Sequence, residues 1–188
     1  MSDKNYEKIA DFLFEMDTLH NMKRMHCQVL PHANDTIASH SFEVAITGMV
    51  LAKMENVDSD KVLKMCLFHD IAEGRTGDVN FVHSHYTNPD ENRAIKDQLD
   101  MLPIQEEMTE ILKEYEERKT KESIVAKDAD LINQTILQCN YLKGSEDLPR
   151  WNRHSMKTLK TESAKKLAKI IMERNPFQWV YNFSDATE

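Results

Sequence analysis

Between residues 67 and 78 the chain reads LFHDIAEGRTGD, which sets His69, Asp70, Glu73 and Asp78 directly after an apolar run. An imidazole beside a carboxylate can hold one divalent cation, and a carboxylate one helical turn further on can move a proton next to it. Val62, Leu63, Cys66 and Leu67 form an apolar stripe at helical spacing, and His69 or Asp70 and then Glu73 continue that face. The stripe therefore turns polar while still pointing inward. An unpaired buried carboxylate costs several kcal/mol, and a bound cation is the economical compensation.

One imidazole and one carboxylate need further ligands from neighbouring helices. His40 in TIASHSFEV heads a face that continues through Val44, Thr47, Gly48 and Leu51, small enough for a second helix to come close. The remaining ligand is expected from VAKDADLIN, where periodicity leaves two choices open. Asp128 lies on the stripe Val125, Ile132, Cys139, whereas Asp130 shares a face with Ala126, Leu137 and Tyr141. The segment NMKRMH adds Lys23, Arg24 and His26, enough local positive charge to meet a small anion.

The elements that must position these groups read as helices. Only four Gly and five Pro punctuate 188 residues, and no hairpin signal or period-two run argues for a sheet. We expect an all-α fold, a compact bundle of about seven helices. They run from about Tyr6 to Asn21, with Ile9, Leu13, Met16 and Leu19 or His20 inward; from Ile37 to Glu55; from Asp58 or Ser59 to a close at Gly74; and from an Asn88 cap with Pro89 first and Glu91 in the capping box. Three more follow, one carrying Ile104, Met108, Ile111, Leu112 and Tyr115, one ending near Gly144, and one stopped by Pro176. A single domain over 1–183 is expected, with a core at about 22–143, a helical extension over 150–183 and a flexible tail at 184–188.

The formal net charge of -8 argues against extended binding to nucleic acid. Three widely spaced cysteines without a CxxC grouping argue against a disulfide framework or thiolate zinc site, and fit a reducing cytoplasm. The N-terminal segment is no signal peptide, and the uncharged run from Val44 to Ala52 is too short to span a bilayer.

Taken together, ASHSFEVA, LFHDIAEGRTGD and KDADL resemble the HD-domain phosphohydrolases, in the small single-domain branch that includes the bacterial 5'-deoxynucleotidase and its eukaryotic relatives. The resemblance covers about Met22 to Lys143. It implies metal ligation by His40, His69, Asp70 and Asp130, with Glu73 and Asp78 as the catalytic acids. It sets Arg24, His26 and Thr76 on the substrate side, with Arg24 as a phosphate clamp. The cofactor it implies is one divalent transition metal, Mn, Co, Ni, Fe or Zn. The activity it implies is hydrolysis of (deoxy)nucleoside 5'-monophosphates. The alternatives are a nucleoside triphosphate phosphohydrolase of the same family and a non-catalytic, metal-stabilised binding module.

Two features depart from that branch: Ser39 stands where an acid usually precedes the first ligand histidine, and VNFVHSHYTNPDE replaces a Pro-rich stretch after Asp78. His83 and His85 are closer together than the second-metal histidines of some HD enzymes, so a substrate-side loop is expected there. Trp151 is expected at a core or subunit interface, with stacking on a base as the alternative, and the apolar segment NPFQWVYNF fits a homodimer contact.

Overall fold

The computed structural model describes residues 2–30 and 32–184; of the tail expected at 184–188, Ser184 ends the last helix and 185–188 lie outside the described residues. Among the described residues there is no strand. Seven helices have nine or more residues: α1 (Asp3–Thr18), α2 (Ile37–Glu55), α3 (Ser59–Phe68), α5 (Glu91–Leu99), α6 (Gln105–Glu117), α7 (Lys121–Leu142) and α10 (Glu162–Glu173). These correspond one by one to the seven expected. Four short helices join them, α4 (Glu73–Thr76), α8 (Leu148–Trp151), α9 (Arg153–Thr158) and α11 (Gln178–Ser184). None of the described helices is long and apolar enough to cross a membrane.

The pair α2 and α3 packs around Gly48, where a Cβ would stand 2.5 Å from Cys66 Sγ. Only glycine permits that approach, and it brings His40 on α2 toward the residues that follow α3. The 22-residue α7 runs through the middle, with Val125, Ala126, Ala129, Leu131 and Ile132 in one cluster with Val44, Leu51, Met65 and Leu99. Thr36 caps α2 in a reciprocal pair: Ser39 N–H donates to Thr36 Oγ1 at 3.1 Å, and Thr36 N–H donates to Ser39 Oγ at 3.0 Å. This box gives Ser39, the departure from the family pattern, a structural role.

Local detail differs from expectation in three places, a stop, a start and an inward face. Helix α3 ends at Phe68, and the turn that closes α4 is made by Gly77 at φ 75° rather than by Gly74. Gly74 is instead a packing position, with Leu19 Cδ2 3.2 Å from where a Cβ would sit. Helix α5 starts two residues late, because Asp90 rather than Asn88 accepts from Arg93 N–H at 3.0 Å. Helix α1 presents Ile9, Phe12, Met16 and the following Leu19 to the core, leaving Leu13 60% exposed. An isolated antiparallel bridge between Lys23 and Thr36 ties down the ends of the loop between α1 and α2, where Arg24 N–H donates to the Asp35 carbonyl at 3.0 Å.

Candidate metal centre

The helix packing brings four elements to one point. His40 comes from the first turn of α2, His69 and Asp70 from the turn after α3, Asp130 from the middle of α7, and Arg24 from the bridged loop. His40 Nε2 lies 3.3 Å from Asp130 Oδ1 and 3.4 Å from Asp70 Oδ2, and His69 Nε2 lies 3.2 Å from Asp70 Oδ2. The two imidazole rings are 5.2 Å apart at their centres.

The hydrogen bonds around this point fix which atoms are left over. His69 Nδ1 donates to the Cys66 carbonyl at 2.8 Å, so Nε2 is the free nitrogen. His40 Nδ1 meets Asn133 Oδ1 at 2.7 Å, again leaving Nε2. Lys127 Nζ binds Asp130 Oδ2 at 2.7 Å, leaving Oδ1. His40 Nε2, His69 Nε2 and Asp130 Oδ1 are all buried without a hydrogen-bond partner. Three buried polar atoms facing one another unsatisfied are costly in an empty protein. Ligands about 2.0–2.2 Å from a shared ion stand roughly 3–3.5 Å apart, the spacing of His40 from Asp130 and of both imidazoles from Asp70, and the ligand atoms of His40, His69 and Asp130 all lie within 4.8 Å of one another. A divalent cation therefore fits His40, His69 and Asp130, with Asp70 beside them.

Charge coupling is strong at this point. Burial and Arg24 oppose a proton on His40, but the Asp130 and Asp70 carboxylates outweigh them and raise it to about 9. Burial opposes ionisation of Asp70 and Asp130 as well, yet the imidazoles, with Arg24 and Lys127 respectively, hold both well below the usual carboxylate range. Glu73 goes the other way: burial, then the Asp70 and Asp78 carboxylates, push it up to about 9 against the pull of Arg24.

Arg24 is buried, and its Nη1 meets Asp70 Oδ2 at 2.8 Å, Asp78 Oδ2 at 3.1 Å and Glu73 Oε2 at 3.2 Å. Asp78 also accepts from Met25 N–H at 2.9 Å. Arg24, Asp70, Glu73, Asp78 and Asp130 line a cavity of about 560 Å³, whose other walls include Phe81, Tyr141 and Trp151. A smaller, polar chamber of about 190 Å³, lined by His69, Glu91, Tyr115 and Arg118 among others, shares Asp70, Glu73 and Lys127 with it.

The structure thus gathers His40, His69, Asp70, Glu73, Asp78 and Arg24, with Asp130 rather than Asp128 beside the imidazoles. Asp128 faces away and accepts from Thr161 N–H and Oγ1, each at 2.7 Å, at the start of α10. His26 lines the cavity wall, held by Asp35 at 2.6 Å. Thr76 is not among the lining side chains; its hydroxyl donates back to the Ala72 carbonyl at 3.2 Å. His83 and His85 are exposed and belong to neither metal-capable group found among the described residues. Trp151, expected at a core or interface, is half-buried on the cavity wall because α8 and α9 fold back against α7. Sequence reasoning missed Lys127, Asn133, Glu43 and Tyr141. Asn133 follows Asp130 by three residues and Glu43 follows His40 by three, a helical spacing that could have flagged both.

A sequence model of the HD domain matches residues 16–173. The chain belongs to the HD domain family. It is 28% identical over 127 residues to a 5'-deoxynucleotidase of Dictyostelium discoideum, covering 61% of this chain and 66% of that one. It is 30% identical over 134 residues to a 5'-deoxynucleotidase of Photorhabdus laumondii, covering 63% and 64%. The HD chain thus spans just under two-thirds of the length of either relative. A solved Pyrococcus furiosus protein, described as a conserved hypothetical protein, superposes with a TM-score of 0.71 at 27% identity, over 87% of this chain and 97% of that one. The family assignment and the donor set agree on a divalent metal.

Proposed function

We propose that this HD-domain chain is a metal-dependent phosphomonoesterase that hydrolyses (deoxy)nucleoside 5'-monophosphates to nucleoside and phosphate. The observation that carries the reading is the set of three unsatisfied ligand atoms beside an arginine-lined cavity. At about 560 Å³ the cavity falls within the range of small-molecule sites. The relatives named as 5'-deoxynucleotidases supply the substrate class.

His40, His69, Asp70 and Asp130 would hold the ion, which supplies Lewis-acid polarisation of a phosphoryl oxygen and a lowered pKa for bound water. The chain's own groups do the rest. All three carboxylate pairs of Arg24 use Nη1, and its Nε has no partner, so the guanidinium has donors to spare for phosphate oxygens. In the metal-free chain burial and the neighbouring carboxylates keep a proton on Glu73, an environment that suits delivery to the leaving 5'-oxygen. Asp78, fixed by Arg24 and Met25 N–H, is placed to orient water. His26 and Trp151 face the space left for the nucleoside, where an indole can stack on a base. Thr76 would support the turn that presents Asp78.

One continuous core from α2 to α10 supports the single-unit reading of the chain. Exposed Phe177, Trp179 and Phe183 at the C-terminal end, with Phe42, Ile46 and Val50 on α2, support a homodimer, which light scattering would test. Free Cys27, Cys66 and Cys139 support a reducing, cytoplasmic setting.

The deciding experiment measures phosphate release from ribo- and deoxynucleoside mono-, di- and triphosphates in EDTA, then with Mn, Co, Ni, Mg or Zn restored, beside Asp70→Ala. Metal-dependent orthophosphate release from deoxynucleoside monophosphates is expected. Release of tripolyphosphate or pyrophosphate would move the chain to the triphosphohydrolases, and metal binding without any turnover would make it a binding module.

A further inference from the structure

Two side chains that belong to neither the ligand set nor the cavity wall meet behind His40. Asn133 is 1% exposed, sits one turn beyond Asp130 on α7, and places Oδ1 2.7 Å from His40 Nδ1. Its Nδ2 donates to Glu43 Oε2 at 2.7 Å, and Glu43 sits one turn beyond His40 on α2. An asparagine amide can face either way, and its neighbours decide which. A carboxylate only accepts, so Glu43 must take the amide's N–H and turn its oxygen toward His40. An amide oxygen also only accepts, so His40 Nδ1 must carry the hydrogen. Nε2, the buried atom that has no other partner, is then the nitrogen that gives up its proton and offers a lone pair to an ion.

We infer that the Glu43–Asn133 pair is a positioning device that sets the tautomer and ring orientation of His40 for the ion. The inference rests on the metal-site reading above and deepens it. His69 needs no such device, because a backbone carbonyl, which cannot flip, fixes its Nδ1. The requirement falls on His40 because it lies inside the first turn of α2, where the side chain reaches across to α7 and no local carbonyl serves its ring. The two partners also link the helices that carry His40 and Asp130, so the same bonds hold the distance between those ligands. Partners of this kind around metal-bound imidazoles are worth about 10–100-fold in metal affinity.

The test is chelator competition with Zn²⁺ and with Mn²⁺ on the full chain, alongside ¹⁵N-imidazole NMR of the Zn²⁺ form. Asn133→Leu, close in volume but without an acceptor, should weaken binding about 10–100-fold and remove the hydrogen-bonded Nδ1–H resonance of His40. Glu43→Gln, which lets the amide face either way, should cost a smaller factor and serves if Asn133→Leu does not fold. The double change Asn133→Asp with Glu43→Gln rebuilds the relay with the acceptor on α7 and the donor on α2, and should restore affinity. Unchanged affinity in Asn133→Leu, or in Glu43→Gln where the former is unfolded, overturns the inference, as does a double variant no better than the single ones. A wild-type chain that binds neither ion would overturn the metal-site reading itself, a separable result.

Discussion

His40, His69 and Asp130 form one group of metal-ligating atoms within 4.8 Å of each other, and His26, Cys27 and Asp35 form another. Their composition is alike and their bonding is opposite. In the second group His26 Nε2 meets Asp35 Oδ2 at 2.6 Å, Tyr141 hydroxyl donates to Asp35 Oδ1 at 3.2 Å, and Cys27 Sγ donates to the Asp35 carbonyl at 3.5 Å. Each of the three side chains there already has a partner, so an ion shared by them would have to displace bonds. In the first group the inward atoms have none. Proximity of ligand types marks a candidate, and the unmet demand for a partner is what distinguishes a cation site from a hydrogen-bonded wall.

Removing one ligand from each group breaks the comparison most sharply. His69→Ala should lose metal affinity beyond the about 100-fold typical of outer residues and with it all turnover, whereas His26→Ala should leave the metal-to-protein ratio unchanged. Elemental analysis of the purified proteins reads both. Equal loss in the two would mean that the second group also binds. The pH dependence should follow the first group alone. Its metal-free form keeps a proton on His40 up to about 9, so an ion must displace it, and apparent affinity should rise with pH and level off above that value.

Glu73→Gln sharpens the contrast between holding an ion and using it. Turnover should fall about 10²–10⁴-fold with metal content intact. The sign for stability is opposite to that for activity. Glu73 is raised from 4.5 to about 9, so between those values the folded chain keeps a proton that the unfolded chain has lost, and stability falls as pH rises through the window. The amide removes that dependence, and the melting temperature of the metal-free variant at pH 8 should exceed that of wild type. A lower one would place Glu73 in an environment that favours its charge.

The wall group should give a smaller effect, on recognition. With Asp35→Asn, His26 loses a charge-assisted bond worth about 1.5–3 kcal/mol. Only part of that loss reaches the substrate, so KM should rise about 3–10-fold with kcat nearly constant. A fall in kcat at constant KM would instead draw His26 into the chemistry.

The seven principal helices and the centre at His40, His69 and Asp70 were legible because periodicity and polarity conflict there: an apolar face that ends in ionisable residues shows within one helix. The boundaries at Gly74, Asn88 and Leu13 were less legible. They depend on which of two nearby candidates finds its partner, Asp90 locally in the cap with Arg93 N–H and Phe12 in the core. Trp151 was legible at the cavity only as an alternative, since it reaches the wall when α8 and α9 fold back on α7, and Lys127 was not legible because its pairing with Asp130 lies on a face of α7 that periodicity left open.

The pair Asp128 and Asp130 shows why local pattern could not choose. Both are buried, at 1% and 4% exposure, on one helix two residues apart, and so on different faces. Each face has a cationic or donor-rich neighbour, but only the whole fold says which. Toward α10, Asp128 meets the unpaired N–H groups of Lys160 and Thr161 at a helix start; toward α2, Asp130 meets imidazoles. Asp128→Ala should therefore act on the fold alone. Loss of a cap costs about 0.5–2 kcal/mol, and each kcal/mol lowers the melting temperature of a chain of this size by about 2–4 °C. Metal content and turnover per folded molecule should match wild type, since nothing on the α10 side touches the cavity floor. Loss of metal in Asp128→Ala would show that the two faces of α7 are mechanically coupled, and that the capping contact helps to set the height at which Asp130 meets His40.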